Sequence, residues 1–84
     1  MSLSDEIEKL SIWQKATPIA GYDTQIWRQD KYGYVMQYNQ YGQTSQFGWE
    51  KDHIFPASLG GANTLANYQA LHWRANRQKR NYII

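Results

Sequence analysis

A chain of 84 residues has room for one small domain with a modest core, and its lack of cysteine leaves neither disulfides nor a thiolate zinc site to staple it. No apolar run approaches the roughly 20 residues that span a bilayer, and the N-terminus has no basic-then-apolar leader pattern, so the chain reads as soluble and without a membrane partner. The net charge of +2 is small, but Arg74, Arg77, Lys79 and Arg80 gather positive charge near the C-terminus, which suits a phosphate backbone and equally a solvated helix face.

In chain order, Ser2 and Ser4 offer helix caps and Asp5, Glu6 and Glu8 favour a helix N-terminus. Ile7, Leu10 and Trp13 then recur at helical spacing, which predicts a short amphipathic helix ended by Thr17-Pro18, with a loop through Gly21. Asp23 can cap a single turn over 24–29, with Ile26 and Trp27 facing inward and Arg28 outward. The stretch from Lys31 to Tyr38 is rich in β-formers and runs into an Asn39-Gln40-Tyr41-Gly42 turn, the signature of a strand or hairpin arm. Seven tyrosines and four tryptophans fill a small core with large side chains.

The second half reads as strand, loop, strand and helix over roughly 48–54, 55–67, 68–72 and 73–81. Pro56 and Gly60-Gly61 favour an irregular loop between the strands. Helical spacing sets Asn76, Lys79 and Arg80 on one face, so that a candidate ligand and phosphate-binding cations share a surface.

Within residues 47–81, Asp52-His53, Gly60-Gly61, Asn67-Tyr68-Gln69-Ala70-Leu71, and Asn76 with Lys79 three residues on, follow one another in an order that resembles the HNH nuclease motif in its H-N-N form. The resemblance implies a single α+β domain over 1–84 with a C-terminal ββα-metal core, preceded by a short helix and a β-hairpin arm. A softer likeness, in 27–33 and in Tyr41-Gly42, Ser45 and Gly48-Trp49-Glu50, is to small stand-alone bacterial HNH proteins. It extends the similarity over most of 13–81 and implies a complete small protein rather than a fragment of a larger nuclease. A cytoplasmic setting in a bacterium or phage goes with it, and the absence of cysteine fits a reducing compartment.

Phosphodiester hydrolysis needs a deprotonated water on one side of phosphorus and charge stabilisation on the leaving oxygen opposite. Strand alternation sends Asp52 and His53 to different faces, so His53 can take the proton from water while Asp52 holds a cation. Asn76 adds a neutral carbonyl oxygen. Oxygen ligands favour Mg2+ or Mn2+, whereas a histidine at this third position would favour Zn2+ or Ni2+. The resemblance gives Asn67 an orienting role, tying loop backbone so that His53 is held in position. His72 reads better as a packed or hydrogen-bonding histidine than as a ligand, and Glu50 as a strand-edge charge rather than a support to the ligands. Arg74, Arg77, Lys79 and Arg80 are the candidate phosphate contacts, with Lys79 matching the family's lysine.

These readings converge on a metal-dependent endonuclease acting on DNA, with RNA an open alternative, and the resemblance implies 5′-phosphate and 3′-hydroxyl ends. Two rivals stand beside it: a nucleic-acid-binding module that keeps the fold and cleaves nothing, and a toxin domain neutralised by an immunity partner. The intact set Asp52, His53 and Asn76 argues against the first, since a binder has no need of it.

Overall fold

The computed structural model describes residues 3–79, 82 and 83. Helix α1 (Leu3–Trp13) carries Asp5 and Glu6 in its first turn, where carboxylates meet the positive end of the helix dipole. Its inward face differs from the expected stripe. Ile12 and Trp13 are buried, while Ile7 and Leu10 are exposed to solvent. Trp13 sets this rotation: its ring packs on Trp49 and Tyr38, with centroids 5.2 and 5.3 Å away, and its indole N–H donates to the Thr24 carbonyl at 2.9 Å.

Thr17-Pro18 is not a plain loop but a two-residue strand, β1 (Thr17–Pro18), at the edge of a sheet ordered β1-β2-β3. A proline fits an edge, where its missing N–H costs no ladder bond. Strand β2 (Trp27–Gln29) replaces the second half of the expected turn and pairs antiparallel with β3 (Val35–Gln37), forming the hairpin arm. Asp23 closes only a short turn, its carboxylate accepting from the Gln25 N–H at 2.8 Å. Two inward and outward assignments also change here. Ile26 is exposed, and the Arg28 guanidinium folds back to donate to the carbonyls of Ala16, Gln14 and Thr24.

Strands β4 (Trp49–His53) and β5 (Tyr68–His72) form a second antiparallel pair, and helix α2 (Trp73–Lys79) follows β5 without a linking loop. Directly opposed residues share a face, so Trp49, Lys51, His53, Tyr68, Ala70 and His72 look one way, and Glu50, Asp52, Gln69 and Leu71 the other. The first face meets α1 in a core of Ile12, Trp13, Met36, Trp49, Tyr68 and Ala70, and Lys51 reaches Glu8 at 2.9 Å. That hydrogen bond raises the Lys51 ammonium above its ordinary pKa. The second face lies under α2. The architecture is α+β, with a C-terminal ββα unit.

Asp30 joins the two sheets. It is buried, its Oδ1 accepts from the backbone N–H groups of Tyr32 and Tyr34, and its Oδ2 accepts from that of His72 at 3.1 Å. One carboxylate thus shapes the β2–β3 turn and satisfies a donor on β5. Asp30→Ala would leave these donors without their acceptor, and we expect it to lower unfolding free energy by about 3 kcal/mol in urea titrations. A loss below about 0.5 kcal/mol, the range of ordinary surface changes, would mean that water or another group replaces the carboxylate.

Candidate active site

The loop between β4 and β5 starts directly after His53. Gly60 adopts φ +92°, and a Cβ on Gly61 would lie 1.8 Å from the Phe55 carbonyl oxygen, so a side chain at Gly61 is incompatible with this loop path. Asn67 ties the same loop. Its Oδ1 accepts from the Phe55 N–H at 2.8 Å, and its Nδ2 donates to the carbonyls of Phe55 and Ala62 at 3.0 and 2.9 Å. The backbone on either side of the Gly-Gly turn is thereby held next to the end of β4.

His53 closes β4. Its ring meets Tyr68, its cross-strand partner, edge-on at 5.0 Å, and Asn63 Oδ1 lies 2.8 Å from its Nε2. An oxygen there accepts from Nε2–H, which leaves Nδ1 as the basic nitrogen. Asn63 is a site residue that the motif pattern did not single out. Its only sequence signal is its place between Gly-Gly and Asn67.

Asp52 points to the opposite face. It is 8 % exposed and accepts from its cross-strand partner Gln69 at 2.8 Å, and Lys79, 2 % exposed, lies 3.1 and 3.2 Å from its two oxygens. The same ammonium donates to the His53 carbonyl at 2.6 Å. One turn earlier on α2, Asn76 Nδ2 donates to Glu50 Oε1 at 2.8 Å, and Arg77 clamps both oxygens of Glu50 at 2.7 and 3.1 Å. Glu50 and Asp52 are two residues apart on β4, about 6.6 Å, and Asn76 and Lys79 three apart on α2, about 4.5 Å. The result is two neighbouring polar rungs between strand and helix.

The helix face carrying Asn76 and Lys79 therefore turns to the sheet, whereas Arg74 and Arg77 lie on the solvent side. Arg74 stacks on Trp73 with its guanidinium carbon 4.7 Å from the ring centroid, and among the described residues it has no carboxylate partner. Arg80 lies outside the described residues. Glu50, read from sequence as a strand-edge charge, instead anchors Asn76 and Arg77. His72 is buried: its Nδ1 accepts from the Arg74 N–H, so Nε2 carries the proton and donates to the Gln46 carbonyl at 2.7 Å.

A cleft of about 380 Å³, lined by Tyr32, Tyr34, Ala75, Gln78 and Lys79, opens beside the Asp52–Lys79 pair. Partial burial first, then the negative field of Asp30 and Asp52, raises the Tyr32 phenol above its ordinary pKa. Among the described residues, no three His, Cys, Asp or Glu side chains converge into a metal cluster. The donors on offer are a carboxylate, Asp52, and an amide, Asn76, whose nitrogen is committed to Glu50 and whose carbonyl oxygen has no hydrogen-bond partner among the described residues. Two hard oxygens fit a divalent cation that keeps most of its water, provided that the Lys79 ammonium yields part of the carboxylate.

Asp-His on the first strand, a Gly-Gly loop tied by an asparagine, and an asparagine on the following helix make up one ββα unit. Residues 42–82 match the family model described as HNH endonuclease, so this segment of the chain is an HNH domain. Comparisons with curated proteins and with solved structures return no match. Among the described residues no helix is long and apolar enough to cross a membrane.

The buried pair makes a stability prediction. Lys79→Met leaves the Asp52 carboxylate without its cation and should cost about 3–5 kcal/mol in metal-free urea unfolding, most of it recovered in Asp52→Asn/Lys79→Met. A double variant no more stable than Lys79→Met would mean that Lys79 acts through packing rather than through the carboxylate.

Proposed function

We propose that the chain is a metal-dependent HNH endonuclease that hydrolyses DNA phosphodiester bonds, with 1–84 as one domain. The observation that carries this reading is the division of labour at the end of β4: His53 presents a basic nitrogen at the loop, and Asp52 presents a carboxylate beside the Asn76 helix. HNH nucleases as a family act on nucleic acid with divalent metal, and the match over residues 42–82 supports that class.

In this mechanism His53 accepts a proton from the attacking water at Nδ1 while Asn63 holds Nε2–H, so that the imidazolium formed keeps a partner. Asn67 supports His53 indirectly, by holding the backbone of the loop beside it. Asp52 and Asn76 would hold the cation, and Mg2+ is the choice that the two oxygen donors favour, with Mn2+ next. When bound, it would neutralise charge on the phosphate and its leaving oxygen. Lys79 is buried and committed to the Asp52 carboxylate, so it would bear on a phosphate only where a cation displaced it from that pair. Arg74, Arg77 and Arg80 are proposed for flanking phosphates, with Arg74 foremost because Arg77 is already shared with Glu50.

Plasmid nicking in Mg2+ or Mn2+, abolished by chelator, is the direct test. His53→Ala should lower the rate by ~10²–10⁴ while retaining salt-sensitive DNA binding. Binding by the parent protein without cleavage in any divalent metal would instead favour the non-catalytic module, and full activity in folded His53→Ala would remove His53 as the base.

A further inference from the structure

We infer that Glu50 is a positioning residue for the proposed metal ligand Asn76: its carboxylate captures the amide nitrogen and so leaves the amide oxygen as the end offered to a cation. This rests on the reading of Asn76 as a ligand. An asparagine side chain has a donor end and an acceptor end of nearly equal size, and only its hydrogen bonds choose between the two orientations. A cation needs the oxygen. In the structure Asn76 Nδ2 lies 2.8 Å from Glu50 Oε1, and a carboxylate accepts but does not donate, so the opposite orientation would set two acceptors against each other.

Three further features make Glu50 suited to the task. It stands two residues before Asp52 on β4, hence on the same sheet face, and the amide it orients is on the helix covering that face. Arg77 grips both of its oxygens, at 2.7 and 3.1 Å, which holds the carboxylate on the α2 side of the strand and balances its charge. Asp52 meanwhile is matched by Lys79 on the neighbouring rung. Each carboxylate of this face therefore has its own cation, and Glu50 is not needed to balance Lys79. The Arg77 grip and the Asn76 bond are separable functions, one electrostatic and one orientational.

The test measures Mn2+ affinity on the full chain without nucleic acid, by water-proton relaxation enhancement, and in parallel the Mn2+ midpoint of plasmid cleavage. Asn76→Ala is expected to weaken Mn2+ binding. Glu50→Ala should weaken it on the order of tenfold, the range for residues that orient a metal ligand, and Glu50→Ala/Asn76→Ala should bind no more weakly than Asn76→Ala alone. Glu50→Gln can still accept from Nδ2–H through its own carbonyl, so its affinity should lie nearer the parent's than that of Glu50→Ala. Arg77→Met breaks the ion pair but leaves the orienting acceptor, and should lower the melting temperature without the same loss of Mn2+ affinity. If Glu50→Ala does not fold, Glu50→Leu keeps the volume and removes the acceptor. A folded Glu50→Ala or Glu50→Leu protein with parental Mn2+ affinity, or losses that add with Asn76→Ala, would overturn the inference while leaving the nuclease reading intact. Unchanged Mn2+ affinity in Asn76→Ala would remove the ligand on which both rest.

Discussion

Pairing His53 with Tyr68 and Asp52 with Gln69 commits each side chain of the motif to one face of a two-stranded sheet. A slip of one residue would send His53 under α2 and Asp52 toward the aromatic core, exchanging a buried ion pair for a buried unpaired charge. The register is therefore held from both faces. On one side Tyr68 and Ala70 pack with Ile12 and Trp13, and Lys51 reaches Glu8; on the other, Leu71 is buried and the two polar rungs attach to α2. The loop adds a third restraint, because Asn67 reaches backward across the Gly-Gly turn to the Phe55 backbone and the Ile54 N–H donates to the Asn67 carbonyl.

Electrostatics then decides what the helix offers. Of the basic residues on α2, Lys79 neutralises Asp52 inside the protein and Arg77 shares its charge with Glu50, so that Arg74 presents the helix's charge outward. The cationic face is thus smaller than a count of arginines and lysines implies. Burying Lys79 against Asp52 also sets a condition on the proposed metal site, because a cation entering at Asp52 would compete with an ammonium already bonded to both carboxylate oxygens. Such a pair is strongly destabilised by removal of one partner, because the other charge is left buried and uncompensated.

The ββα half was legible because its signals are local. The order of Asp52-His53, Pro56, Gly60-Gly61, Asn67 and Asn76, read through its resemblance to the motif, located β4 and β5 to within a residue or two and the start of α2. What escaped was set by tertiary partners. Thr17-Pro18 becomes a strand only because Arg28 and Gln29 lie beside it, and Ile7 and Leu10 turn outward because Trp13 finds Trp49 and Tyr38. At the site, the motif letters Asp52, His53, Asn67 and Asn76 could be listed, but their partners could not. Glu50 and Asn63 carry no pattern of their own, and Lys79 shares a helical face with Asn76 whether that face meets solvent or sheet. Asp30 was likewise invisible, since nothing nearby in sequence announces that its second oxygen will receive the His72 N–H from 42 residues away.

The proposed nuclease chemistry needs a divalent cation between β4 and α2, at Asp52 and Asn76. Paramagnetic relaxation by substoichiometric Mn2+, followed across the backbone and side-chain amide resonances of the labelled protein, tests it most directly. A cation bound there would broaden Asp52 and the Asn76 side-chain amide most, with the effect falling away toward α1. Broadening centred instead on the Asp5 and Glu8 side of α1, with Asn76 unaffected, would contradict it.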